Sequence, residues 1–220
     1  MFSNLMTLLA SGGRTVRRAR AGLRKFARVE AASITVESVI ILPILLFGLM
    51  ATYTYFEAYR RQSLALKANY AIADYLSRLH SFDRTTLEGL DELFEYMSGT
   101  REGSWVRVTV VECNLSPTRC NDEYPRELGK GLSKTSFNSG IYNHTRTTMR
   151  EYLGPHIPKM YRGEKLIVVE TVAKYVPPFP VRWTGIYPRD LVNVTVTSPR
   201  EYDGLCWKAQ PDDCPLPPTS

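Results

Sequence analysis

The stretch Ser38–Phe56 runs nineteen residues without a charge. As a helix rising roughly 1.5 Å per residue it covers about 28 Å, close to the thickness of a bilayer's hydrocarbon core. The stretch is therefore long enough to cross a membrane. Two residues stand out in it: Glu37 immediately precedes the run and Pro43 lies inside it.

The charges beside the run give it a direction. Arg14, Arg17, Arg18, Arg20, Arg24, Lys25 and Arg28 precede residue 33, against a single acid, Glu30. Removing these seven from 28 basic residues, and Glu30 from 22 acidic ones, leaves 21 of each sign in the remainder. The net charge of +6 thus belongs to the amino-terminal segment, and it is not a nucleic-acid footprint. Basic residues flanking a span favour the cytoplasmic side, so the amino end is expected inside and the carboxyl end exported. A secretory signal is the competing reading. Such signals end in a small-residue cleavage site, whereas "LLFGLMATYTYFEAY" runs into aromatic residues. Tyr53, Tyr55, Phe56 and Tyr59 suit the aromatic belt of an outer interface.

Cysteine usage points the same way. Cys113, Cys120, Cys206 and Cys214 all follow the span. An even number in an exported domain favours disulfides, and four cysteines allow about three connectivities. Pairs Cys113–Cys120 and Cys206–Cys214 are preferred because each closes a short loop; free thiols or a metal site are the alternatives. The C-x6-C and C-x7-C spacings fit poorly to structural zinc sites.

Further along, Glu57–Ser81 lacks Gly and Pro, and Leu64, Ala68, Ala71, Ile72, Tyr75, Leu76 and Leu79 form an apolar stripe. One continuous helix through span and stripe is expected. "TTLEGLDELFEYM" predicts a short helix, with Thr85 and Glu88 as a capping box and Leu87, Leu90, Leu93, Phe94 and Met97 inward. Its acids, Glu88, Asp91, Glu92 and Glu95, match a solvated face. "SWVRVTVVECNL" alternates and predicts a strand, as do Glu164–Val176 and Leu191–Ser198. Ser116–Gly140 reads as loop, Tyr142–Leu153 as a helix, and the tail from Glu201 as irregular; Met1–Gly13 reads as disordered or as the product of a badly chosen start site. The expected fold class is α+β: a long amino-terminal transmembrane helix continuing into an exported domain, with short helices on one face of a small, mainly antiparallel sheet. The expected boundaries are a basic leader at 1–32, the span at 33–59 and the domain at 60–220.

No constellation for catalysis is visible, and no enzyme activity, cofactor or metal is expected. His80, His144 and His156 have no carboxylate or cysteine at ligand or dyad spacing, and they read as surface or turn residues. Phosphate-binding, nucleophile-elbow, zinc-protease and dinucleotide motifs are missing from the sequence.

An ionisable residue in a span defaults to a functional reading, whereas in the headgroup zone Glu37 would cost little. "EAASITVESVIILP" resembles the amino-terminal signature of the TadE-like minor pilins of the tight-adherence branch of type IV pilus systems. There a basic leader precedes a small residue, a short apolar stretch, a Glu, and an apolar run containing Pro. Downstream, "EAYRRQSLALKANYAIADYLSR", "LIVVETVAKYVPPF" and the "SPRE…LCW" ending are similar to such sequences. The resemblance implies cleavage between Ala32 and Ser33 by a prepilin peptidase, with Glu37 at the fifth mature position. Ala32 and Ser38 stand where the commoner pattern has Gly and an aromatic residue. The implied partners are the membrane, other pilin-like subunits and pilus assembly proteins, and no nucleic acid. Location would be the inner membrane, with a periplasmic domain. The new Ser33 amine and a neighbouring Glu37 carboxylate would pair during assembly, and Pro43 would loosen the helix. The other reading is an uncleaved single-pass protein whose exported domain docks on a secretion or adhesion machinery.

Overall fold

The computed structural model describes residues 30–100, 103–114, 120, 130–136, 141–210 and 214, with residues 30–34 and 130 as backbone only. The expectation for Met1–Gly13 lies outside the described residues. Two compact units emerge. One joins the chain up to Tyr53 with Arg182–Gly185; the other holds Thr54–Val181 and the chain from Ile186.

Helix α1, Glu30–Ser77, is a single element of 48 residues. It starts earlier than the sequence suggested and continues through Pro43. Its burial also differs from the expected stripe. Ala58, Ala65, Ala68, Ile72, Ala73 and Leu76 are buried, whereas Tyr75 and Ala71 face outward. The contact stripe is built mainly of alanines, and small side chains allow a helix to approach a sheet closely. Leu64 is only half-buried.

After the short strand β1, Ser81–Phe82, comes helix α2, Arg84–Ser98. Its cap is Asp83, whose Oδ1 accepts from Thr86 N at 2.7 Å, so the expected Thr85–Glu88 box does not form. Glu88 instead accepts from Arg84. An Asp two residues before Thr85 offers a stronger acceptor, and it shifts the start of the helix. Gly99 ends the helix at φ 67°, where a side chain would be strained.

The main sheet comprises β2 (Trp105–Glu112), β3 (Lys130–Thr135), β4 (Lys165–Tyr175) and β5 (Arg189–Thr197) in the order β3-β2-β4-β5. Every neighbouring pair is antiparallel, with Val108 opposite Val169 and Val172 opposite Val192. β3 falls within the stretch expected to be loop. "KGLSKT" carries one large apolar residue, Leu132, so its strand character comes from pairing with β2 and not from alternation. The segment expected to be one helix over Tyr142–Leu153 is a short α3, Arg146–Thr148, followed by a wider turn, Met149–Leu153, and a tighter one, Gly154–His156.

Both faces of the sheet are covered, which corrects the one-faced expectation. Val106, Val108, Ile167, Val169, Ala173 and Leu191 pack with the α1 alanines and with Leu87, Leu90 and Phe94 of α2. Val111, Leu166 and Val168 pack on the opposite side with Met149, Leu153, Ile157 and Met160. Burial on both sides explains why β4 reads as a nearly unbroken apolar run. Each fully buried Val or Ile contributes roughly 1.5–3 kcal/mol relative to exposure. The tail is not irregular throughout. β6, Cys206–Trp207, pairs in parallel with β1, and Trp207 meets Phe82 edge-on at 5.1 Å. A short α4, Val181–Thr184, lies between β4 and β5.

Candidate functional site

The amino-terminal half of α1 carries the residues singled out in the sequence. Val36, Val39, Ile40, Ile41, Leu42, Ile44, Leu45, Leu46, Phe47 and Leu49 are all exposed. Consecutive residues point in every direction around a helix, so this surface is apolar all round, as expected for a helix immersed in an apolar medium. It is long and apolar enough to cross a membrane. The Thr52 hydroxyl donates to Gly48 O at 2.8 Å, which satisfies it within the helix. Ala32 and Ser33 fall within the first turns of α1. Glu37 is exposed one turn further on, and among the described residues no hydrogen bond or ion pair engages its carboxylate. Pro43 lacks an N–H, so the Val39 carbonyl has no α-helical donor four residues ahead.

The carboxyl half of α1 is fixed by polar contacts that the sequence did not reveal. Asn69 is fully buried, and its amide donates to Thr171 Oγ1 at 2.8 Å, with Val169 O at 3.3 Å and Asn193 O at 3.2 Å. Gln62 donates to Asn193 Oδ1 at 3.0 Å. Arg61 bonds Glu57 at 2.7 Å and reaches the end of α2, donating to Gly99 O at 2.6 Å and Ser98 O at 3.2 Å. A cation on carbonyls at a helix end is favoured by the helix dipole. An Asn among alanines on a helix face that must pack was the available signal, since a buried amide needs partners.

A second polar cluster lies on the other face of the sheet. Arg107 and Glu170 are directly opposite on β2 and β4 and form a two-pronged pair, both bonds 2.7 Å. His144 Nε2 lies 2.8 Å from Glu170 Oε2, and Arg107 also donates to Tyr142 O at 3.1 Å. His144 is thus buried against a carboxylate, contrary to its reading as a surface or turn residue. Burial alone would raise the Glu170 carboxyl, but bonds from His144 and Arg107 outweigh it and hold the group below the usual carboxylate range. The cluster ties the Tyr142–Thr148 segment to the sheet. The sequence signal was Glu170 itself, a carboxylate inside the apolar run "LIVVETVAKYV", which requires a partner. His80 stacks obliquely on Tyr202 at 4.9 Å, and His156 Nδ1 lies near Tyr152 O at 3.2 Å.

Asp91 is a second correction. It is buried on α2 and not on its solvated face, and burial, reinforced by Glu95, raises its carboxyl to about 6 despite a hydrogen bond with Ser136. Disulfides join Cys113 to Cys120 and Cys206 to Cys214. Among the described residues no group of three or more His, Cys, Asp or Glu could hold a metal ion.

Fold and site together define a class: an α+β domain with one long helix whose amino-terminal half is apolar around its circumference. Comparison with protein-family models, with curated proteins and with solved structures finds no match.

Proposed function

We propose that this chain is a membrane-anchored, minor pilin-like subunit or assembly factor of a tight-adherence pilus, with its amino terminus in the cytoplasm and its domain in the periplasm. One observation carries the reading. An exposed carboxylate, Glu37, stands on an all-round apolar helix one turn after Ser33, with Pro43 following it. A lone charge in lipid costs roughly 2.5–3.5 kcal/mol on insertion scales. Pairing with an amine on an adjacent subunit offsets much of that cost and fixes the register of assembly. The polar contacts of Asn69 and Arg61 support the reading too, because they hold the far half of the same helix to the domain.

The second reading, an uncleaved single-pass protein docked on a secretion or adhesion machinery, has its own support. α1 runs through the Ala32–Ser33 bond, so cleavage there would have to cut within a helix. Sequencing the amino terminus of the membrane-extracted protein separates the two: a start at Ser33 supports the pilin reading, an intact leader the alternative. Assembly tests the mechanism. Glu37→Gln should leave membrane abundance and disulfides unchanged but abolish incorporation into pili. Normal incorporation refutes the pairing.

A further inference from the structure

The connection between β4 and β5 is the sequence "VPPFPVRWTGIYP", residues 176–188, with four prolines and a single charge, Arg182. A loop in water is ordinarily polar; this one is apolar and aromatic. Val176 and Tyr187 are 64% and 71% exposed, and Trp183 is 46% exposed. Its tip, Arg182–Gly185, groups with the chain up to Tyr53 and not with the domain. Within that unit the Trp183 ring meets Phe47 edge-on at 6.4 Å. The Arg182 guanidinium lies over the Trp183 ring at 5.3 Å, and Gly185 reverses the chain at φ 70° with open space around it.

Phe47 is nine residues from each end of the uncharged stretch Ser38–Phe56. If that stretch were centred in the hydrocarbon, Trp183 and its short non-repetitive backbone would sit at mid-bilayer. Lipid-exposed irregular chain is not tolerated at that depth. Trp and Arg belong instead at the interface, where the indole is half immersed and the guanidinium reaches the phosphates.

We propose that the tip of this connection is a second lipid contact, in which Trp183 marks the outer hydrocarbon boundary beside Phe47. The occupant of its exposed face is the outer leaflet. Counting back about 20 residues, the length that spans the core, reaches Arg28, the last residue of the basic run. Glu37 is then ten residues, roughly 15 Å, inside the boundary. That is the middle of the bilayer and not the cytoplasmic headgroup zone. Tyr53 and Tyr55 lie outward of the boundary, at the headgroup edge. The inference rests on the membrane reading of α1 and extends it with a depth.

The test uses the full chain in lipid nanodiscs whose acyl chains carry bromine, a tryptophan quencher, near either the carbonyl end or the terminal methyl. Emission of Trp183 is the difference between the wild type and Trp183→Phe, a change at an exposed tip. Depth at Glu37 is read from Ser38→Trp in the Trp183→Phe background. Trp183 should lose most of its emission to carbonyl-end bromine and little to acrylamide in the water. Ser38→Trp should be quenched best by methyl-end bromine. If Trp183 is quenched only by acrylamide while Ser38→Trp responds to bromine, the tip is in water and the proposal falls, with the membrane reading intact. Trp183 shielded from both quenchers, at high protein-to-lipid ratio only, would mean that a second copy covers it, which also overturns the proposal. Ser38→Trp quenched best at the carbonyl end would overturn the assigned depth. If neither tryptophan responds to bromine, the membrane reading itself fails.

Discussion

Arg107→Met tests whether the buried cluster on the sheet holds the domain together. The Arg107, Glu170 and His144 side chains are only 12%, 8% and 6% exposed. Removing one partner of a buried pair costs about 3–5 kcal/mol, because the other charge remains without compensation. Glu170 loses both Arg107 bonds, one at each oxygen, but Oε2 keeps His144 at 2.8 Å, which places the expected loss at the lower end, about 3 kcal/mol. At about 2–4 °C per kcal/mol for a chain of this size, the melting temperature should fall by roughly 6–12 °C. The pH dependence follows from the sign of the shift. In the wild type the Glu170 carboxyl is held low, so its contribution is complete above the ordinary carboxylate value and is lost as pH falls through the folded value. Without Arg107, burial acts on Glu170 against His144 alone, so the deficit relative to wild type should be largest at neutral pH and shrink on acidification. A double variant, Arg107→Met with Glu170→Gln, should recover part of the loss, since no uncompensated carboxylate remains. The assay is thermal unfolding of the full chain in detergent, followed by circular dichroism from about pH 3 to 8, a window that reaches below the ordinary carboxylate value. A loss under about 1 kcal/mol, or one that is independent of pH, would refute the reasoning.

Asp91→Asn should stabilise the protein at neutral pH by roughly 1 kcal/mol, less than the shift alone implies because solvent screens part of it. Its carboxyl is raised to about 6, so wild-type stability declines as pH rises from the ordinary carboxylate value to about 6, and the variant should lose that slope in the same unfolding series. Replacing Cys206 and Cys214 by Ser should cost about 2–3 kcal/mol in the chain-entropy model and loosen the β1–β6 pair, visible as faster exchange of the Lys208 amide, which donates to Phe82 O at 2.8 Å. Non-reduced peptide mapping checks the connectivity; a Cys113–Cys206 link would contradict it. A reporter active only in the cytoplasm, fused after Ser220, should be silent. Glu57→Gln should destabilise the domain modestly in the same unfolding series, since Glu57 holds Arg61 at 2.7 Å on the end of α2.

The sequence by itself determined the features that repeat along the chain. Nineteen uncharged residues, an apolar helical stripe and alternating valines each encode local geometry, so the long helix, α2, β2, β4 and β5 were legible, as was the α+β class. Glu37 and Pro43 stood out for the same reason, as exceptions within a regular run. Tertiary structure decided what depends on a partner distant in the chain. β3 is a strand because β2 pairs with it, and β6 because β1 does. Asp91 is buried because the fold around α2 encloses it. Glu170, Arg107 and His144 meet because antiparallel pairing sets residues 107 and 170 opposite each other and the Tyr142–Thr148 segment crosses them. Trp183 reaches Phe47 across 136 positions of sequence, 183 less 47, and no periodicity encodes such a separation. Local patterns fix the backbone residue by residue, whereas which polar groups end up sharing a dry space is settled only when the elements pack.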